Sequence, residues 1–504
     1  MLRMGEKAAG NKMLRRISPY SLQLMTRSRW RGREEEMSYS HRSLRFCARC
    51  GKSFRGTLVF VFFCTALFLG SFGCAGVGHL YERVDQLSLQ GHYSQAGRYL
   101  EESSDEYAKR NRILYYLDRG MLTFAAGEFD DAIAAFRESE RLMEEAFTIS
   151  LSRQATTFII NDTMAPYRGE DFESVMVNVF LALSYINLGK IENALVEARK
   201  VDSKLRVLNQ QYDDEHKNAY SEDPFARLLA GLCYEMGRTD SDLNDAYIAY
   251  RLALKGYEAD YQRFGTRFPG SFLENILSLA QLMGAGELSE MKRRFSSVDF
   301  LSSGERSERA EVYGLHLNGR APVKIEDIIV LPMPDGHMIK LAFPRYRRLP
   351  KEIIGARFHA LSLEETGEFR AEFTLAEPIG RIAEENLENR RLRIAVKTLA
   401  RVTAKYLAVK KARQEMEKEH GPLAGLMAGV IGNILTFASE MADLRCWRTL
   451  PEEILISKLS LPPGTYRLWA ECLNSSGNCM QRVDLGERRL EAGDKIVVQF
   501  RTVR

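Results

Sequence analysis

Cysteine gives this chain its clearest chemistry. Of eight cysteines, Cys74 follows a long apolar run and sits among Gly70, Ser71, Gly73, Ala75 and Gly76. Small neighbours let a peptidase reach the backbone, and a thiol beside such a cut can be alkylated with a lipid. Cys472 and Cys479 flank the stretch LNSSGN. A hairpin turning at Asn474–Gly477 would set them opposite each other, and an oxidising compartment would join them in a disulfide closing a small loop. Cys47 and Cys50 form a lone CxxC without the second pair a zinc site needs, and read as leader sequence.

The remaining polar residues point to no reaction. Asp213–His216 reads DDEH, but it falls in a polar stretch between helices and is expected to be a solvated turn. Glu197 and Arg199 would either line a groove or pair with their neighbours. None of the eight histidines pairs at metal-ligand spacing. The chain lacks G-x-S-x-G, G-x-x-x-x-G-K, H-E-x-x-H and an EF-hand loop. No catalytic, cofactor-binding or metal residue is assigned, and the chain is read as a non-enzyme without a cofactor.

The elements that position these residues begin with a leader. Residues 1–73 carry 14 Lys/Arg and 4 Asp/Glu, while the rest holds 57 basic against 63 acidic residues. A basic nucleic-acid footprint would therefore lie in the leader alone, and nucleic-acid binding is not expected. Arg42, Arg45, Arg49, Lys52 and Arg55 precede the 12 apolar residues Leu58–Leu69, the length of a signal-peptide core and short of the roughly 20 that span a bilayer. With the small residues around Cys74, this resembles a bacterial lipoprotein signal, with Ser71 and Phe72 as departures. An uncleaved anchor is the rival, because Thr57–Gly78 is uncharged, but its glycines weaken a spanning helix. Ala75 in place of aspartate points to the outer membrane, facing the periplasm. Residues 1–36 are expected to be an extension upstream of a start at Met37.

A repeat organises residues 74–300. VDQLSLQGHYSQAGRYL, GMLTFAAGEFDDAIAAF, ALSYINLGKIENALVEA and AGLCYEMGRTDSDLNDAYIAY align on Gly91, Gly127, Gly189 and Gly237. Ala96, Ala132 and Ala194 follow five residues later, and a four-residue insertion moves the fourth to Ala246. Leu100, Phe136, Ala198 and Tyr250 come next. This is the tetratricopeptide pattern. Gly120, Ala182 and Ala230 would let the second helix approach, and the turn glycines would adopt a left-handed backbone. SFLENILSLAQLMGAGELSEMKRRF would add a capping helix pair. The long insertion at 148–175 supplies Asn161, Asp162, Tyr167, Arg168, Glu170 and Asp171 as candidate partner contacts. Its alternative is a plug that fills the array with its own aromatics.

From 305 to 504 the period alternates, predicting a β-sandwich-like domain of about seven strands, with a hairpin at Pro334-Asp335-Gly336. A helical insertion at about 378–445 interrupts it. Apolar residues recur there at Ile382, Leu387, Leu392, Val396, Leu399, Val402 and Tyr406. Leu423–Ser439 then runs 17 residues without charge, with Gly425, Gly429 and Gly432 spaced for close helix contact. That stretch is expected to be either a helix buried against Ile382–Tyr406, or a hairpin inserting into a membrane or partner. Asp443, Arg445 and Trp447 are expected to lock the returning chain to the sheet. The predicted fold class is multidomain α+β: a tetratricopeptide-like α-solenoid, then the sandwich-like domain.

NDTMAPYRGEDFESVMVNVFLALSYINLGKIENALVEARK, KLAFPRY, ADLRCWRTLPEEI and LPPGTYRL, in this order after the lipid-type signal, resemble a family of uncharacterised bacterial tetratricopeptide-repeat lipoproteins. The resemblance covers roughly residues 74–504. It implies a cell-envelope location and the same helical-plus-β layout, and transfers no catalytic residue. The expected role is a scaffold or adaptor whose array binds a peptide or protein. The alternative is an accessory part of an envelope export, surface-polymer or cell-wall synthesis machine, with Leu423–Ser439 in the membrane.

Overall fold

The computed structural model describes residues 75–153, 162–210 and 220–504. Every described residue lies in one compact unit, Gly73–Arg504. That unit is mixed α+β, helical in its first half and sheet-based in its second.

Local turn chemistry sets the helical half. Helices run in hairpins: α1 (Ala75–Leu89) with α2 (Tyr93–Glu102), α3 (Arg112–Ala126) with α4 (Phe129–Arg153), α5 (Asp171–Asn187) with α6 (Ile191–Asn209), α7 (Pro224–Gly237) with α8 (Asp240–Phe264), and α9 (Leu273–Met283) with α10 (Ala285–Arg294). Gly91, Gly127 and Gly189 turn the first three at φ of 75°, 81° and 68°, the left-handed backbone that glycine adopts without steric cost. Ala96, Ala132, Ala194 and Ala246 are fully buried where the second helices cross.

The fourth hairpin corrects the sequence alignment by one residue. Gly237 is the last residue of α7, and Arg238 takes the left-handed turn at φ 64°. Counted from Arg238, Gly231 falls where Gly120 and Ala182 fall in their own hairpins. A Cβ on Gly120 would come 2.5 Å from the Phe136 ring, and one on Gly231 2.5 Å from the Tyr250 ring. Gly231 rather than Ala230 is thus the close-approach residue, and the insertion before Ala246 is three residues, not four.

A short helix, α11 (Ser303–Ser307), leads into β1 (Ala310–Asn318), β2 (Val323–Pro332), β3 (Met338–Arg347), β4 (Gly355–Ser362), β5 (Glu368–Glu372) and β6 (Thr374–Glu377). Then come α12 (Ile379–His420) and α13 (Pro422–Ser439), followed by β7 (Glu453–Leu461), β8 (Gly464–Leu473), β9 (Cys479–Leu490) and β10 (Lys495–Thr502). Two four-stranded sheets form, in the orders β10-β1-β7-β6 and β5-β4-β8-β9, beside the two-stranded β2-β3. β1 pairs parallel with β10 and antiparallel with β7. Phe358, Phe373, Leu468 and Phe500 fill the core between the two larger sheets.

β4 and β9 were not legible as strands. β9 is exposed along most of its length and carries charged residues on both faces, so it lacks the apolar alternation that marks a strand. β5 and β6 are separated by Phe373 alone, whose side chain enters the core. The change near residue 300 is one of secondary structure only. The largest apolar core runs from the helical hairpins into Tyr313, Leu315, Leu317, Ala376, Ile379 and Leu450.

Candidate interaction surfaces

A segment of the chain's own C-terminal half lies across the helical hairpins. Trp447 is 1% exposed, its ring 5.8 Å from Phe136 and 6.0 Å from Phe180, both edge-on. Its backbone N–H donates to Glu173 Oε1 at 2.7 Å and its indole N–H to Thr449 at 3.0 Å. The Thr449 hydroxyl donates in turn to Asp118 at 2.7 Å. Asp118 also accepts from Tyr81 at 2.6 Å and Tyr107 at 2.9 Å. Arg448 stacks 4.2 Å over Tyr81, and Arg445 5.3 Å over Tyr167, with further bonds to Asn111 and the Ala165 carbonyl. The sequence placed Asp443, Arg445 and Trp447 as a lock onto the sheet. The Asp443–Arg445 ion pair forms at 2.6 Å, but Trp447 is seated in the helical hairpins.

This strap creates buried acids. Burial pushes Glu173 up to about 7, with Tyr167, the Lys324 charge and the Trp447 N–H pulling it back. Burial likewise raises Asp118 against its donors Tyr81, Thr449 and Tyr107. A carboxyl without a full counter-charge resists ionisation in a low-dielectric interior. Within the strap, burial also raises the Cys446 thiol to about 11, which leaves it an unreactive core residue.

The six candidate partner contacts separate. Tyr167 is buried and donates to Glu173, and Glu170 is buried against Lys324 of β2 and Arg390 of α12. Both are joints between elements and not surface contacts, because the insertion folds back under β2 and α12. Arg168 is exposed and Asp171 half-buried. Asp162 opens a single 3-10 turn. Asn161 lies outside the described residues, as do Cys74, the leader and Asp213–His216.

Other polar groups pair internally. Glu197 is 3% exposed and accepts from Asn178 at 2.7 Å and Lys200 at 3.1 Å, while Arg199 donates to Tyr234 at 2.9 Å. At the junction of helices and sheet, Arg306 binds Glu235 and Glu311, and Lys458 binds Glu274 and Glu311. Burial opposes ionisation of Glu311, but Lys458, Arg306 and Lys495 outweigh it and hold the carboxyl well below its ordinary range. Among the described residues no group of three His, Cys, Asp or Glu is placed to hold a metal.

The cysteine pair is out of register. The loop between β8 and β9 runs from Asn474 to Asn478, closed by the Asn474 N–H donating to the Asn478 carbonyl at 3.0 Å. Cys479 therefore faces Leu473, and Cys472 faces Gln481 across a bulge. Both thiols are free, Cys472 buried and Cys479 exposed. Burial pushes Cys472 up to about 12.

The helical insertion forms an arm. Burial along α12 stops at Val402; beyond it the helix packs on α13 and the tip of β2-β3. Arg401 and Lys405 of α12 grip the buried Glu440 at its base. The Tyr406 hydroxyl donates to Asp335 at 2.9 Å, and the Met338 N–H to Asn433 at 3.3 Å. The glycines of α13 face α12: a Cβ on Gly425 would meet Glu417 at 2.6 Å, on Gly429 Arg413 at 3.1 Å, and on Gly432 Val409 at 2.7 Å. Of the two expectations for this stretch, burial against Ile382–Tyr406 is overturned. Only Gly425 of α13 is buried, while Leu423, Leu426, Met427, Val430, Ile434 and Phe437 are exposed. On α12, Leu392, Val396 and Leu399 are also exposed.

A second exposed apolar element went unread in the sequence. Ile328–Leu331 of β2 is open on both faces of its strand. An unbroken apolar run in a two-stranded edge was the available signal, since alternation would have placed half of it inward.

No protein-family model matches the chain, and comparison with curated proteins gives no significant match.

Proposed function

We propose that this chain is a cell-envelope lipoprotein, lipidated at Cys74 and facing the periplasm from the outer membrane, that acts as a protein–protein interaction scaffold. Its helical half is a tetratricopeptide-like array, and its two larger sheets are a β-sandwich-like domain carrying the α12–α13 insertion. The resemblance to bacterial tetratricopeptide lipoproteins supports this, and one structural observation carries it. Three successive hairpins, α3–α4, α5–α6 and α7–α8, repeat one geometry: a left-handed turn residue, a small residue seven positions before it, and a buried alanine after it. Such units cannot bury their apolar faces alone, and stacking them yields extended surfaces suited to partner proteins. The strap lies across the helical hairpins, so a peptide partner meets the surface it leaves open, and the exposed Arg168 is the candidate contact there.

The test is crosslinking and pull-down from envelope fractions, with Cys74→Ser as the control. Envelope proteins recovered with the wild-type chain and lost with Cys74→Ser are the expected result. Recovery of cytoplasmic proteins alone overturns the proposal.

The exposure of α13 favours a second reading, an accessory component of an envelope export, surface-polymer or cell-wall synthesis machine with membrane-inserting helices. Deleting α13 distinguishes the readings: a folded deletion that still recovers the same partners counts against it.

A further inference from the structure

We infer that α13 is an interfacial membrane helix, which lies in the headgroup region of a bilayer with α12 as its polar backing and does not span it. The inference deepens the envelope reading above, on which it rests for access to a bilayer.

Side-chain direction on α13 carries the argument. Leu423, Leu426, Met427, Val430, Ile434 and Phe437 are between 37% and 73% exposed. The 3.6-residue helical period gathers them into one sector about 100° wide. The opposite side holds the glycines that touch α12. The polar side chains of α13 are all engaged within the arm. Asn433 accepts from Met338, Thr436 donates to the Asn433 carbonyl at 3.0 Å, and Ser439 bonds Lys405 at 3.1 Å. The outward face therefore offers no hydrogen bond and no charge.

Such a face fits lipid better than protein. A stable protein interface surrounds its apolar centre with a polar rim that fixes register, and α13 has none. Its stripe presents six side chains, against the roughly 20–30 residues a side of a stable protein interface. Acyl chains ask only for apolar area.

Length and charge then decide between spanning and lying flat. α13 passes the length and hydropathy criterion for a membrane span, at 18 residues and mean hydropathy 1.5. But it is packed along α12, whose segment Thr403–His420 carries five Lys/Arg and three Glu. Spanning would carry those charges through hydrocarbon, at high cost. Lying flat keeps them in water while the apolar stripe sinks about 5–10 Å into the headgroup boundary. The exposed Lys410 and Lys418 then supply positive charge for anionic headgroups.

The experiment uses the full chain and its Cys74→Ser variant, each with an environment-sensitive fluorescent amino acid at position 430, 434 or, as the control, 411. Vesicles of phosphatidylethanolamine and phosphatidylglycerol are the probe. These positions are exposed, so folding is retained, and circular dichroism checks it. Blue-shifted emission with a rise of about twofold at 430 and 434, but not 411, is expected in both backgrounds. Val430→Glu with Ile434→Glu in the Cys74→Ser chain is expected to weaken vesicle binding about tenfold or more. If the chain sediments with vesicles while 430 and 434 keep an aqueous spectrum, the inference is overturned and the envelope reading stands. A shift that needs no vesicles and grows with protein concentration assigns the face to a second copy, and also overturns it. The mass of the Cys74 peptide from cells tests lipidation separately.

Discussion

The helical hairpins of the array and the hairpin of the arm are built from the same parts and end in opposite states. In both, glycine faces the partner helix: Gly120 under Phe136 and Gly231 under Tyr250 in the array, Gly425 and Gly432 against α12 in the arm. In the array, the large apolar residues meet the next hairpin or the strap, and Phe136, Phe180 and Trp447 close into one cluster. In the arm they stay 37–73% exposed. Close helix contact is thus a local matter of small residues, whereas burial depends on what the rest of the chain brings across.

The sharpest way to break this comparison is to remove a large apolar side chain from each region. Trp447→Ala empties the cluster between Phe136 and Phe180 and is expected to cost about 3–5 kcal/mol, read as a large fall in Tm. Ile434→Ala on α13 is expected to change stability by no more than about 0.5 kcal/mol. Comparable losses at both sites would mean that the arm is buried in the native protein.

The buried acid under the strap gives a pH signature that the arm lacks. Glu173 titrates near 7 in the folded chain against 4.5 for the ordinary carboxyl. Between those values the unfolded chain has released the proton that the folded chain retains. Stability from this group therefore falls as pH rises from 4.5 to 7, by about 3 kcal/mol in all, and levels off above. The advantage of the wild type over Glu173→Gln should shrink by that amount across the window in denaturant titrations at matched pH. A constant difference would show that Glu173 stays ionised throughout.

Smaller effects sharpen the role of the glycines. Gly120→Ala forces the Phe136 ring to move and is expected to cost about 1–3 kcal/mol. Gly432→Ala meets Val409 just as closely, but it should loosen only the arm. Hydrogen exchange in Pro422–Ser439 is expected to speed up while the unfolding of the body shifts by less than about 0.5 kcal/mol. The smallest change is chemical: a thiol reagent on the folded chain should modify Cys479 and spare Cys472, as peptide mass mapping would reveal. Protection of both would point to the disulfide that the loop register disfavours.

Several features were legible because they are local. Gly91, Gly127 and Gly189 announced their turns through a conformation that few other residues adopt cheaply. Met333–His337 closes its hairpin around the expected Pro334-Asp335-Gly336 turn. Arg238 was missed because Gly237 beside it is the better left-handed residue, and only the packing of Gly231 under Tyr250 fixes the count. Tyr167 and Glu170 looked like surface loop residues. They are buried by Arg445, Lys324 and Arg390, which lie more than 150 residues away in sequence.

The sequence by itself determined where the first three hairpins turn, that Gly120 and Ala182 let their helices approach, and that the glycines of Leu423–Ser439 are spaced for close helix contact. These follow from backbone freedom and side-chain size within a few residues. Tertiary structure alone decided that Trp447 seats in the helical hairpins, that Glu173 is buried beneath it, and that the outer face of α13 stays open. Burial is set by contacts between distant segments, and a periodic pattern specifies a face without specifying what covers it.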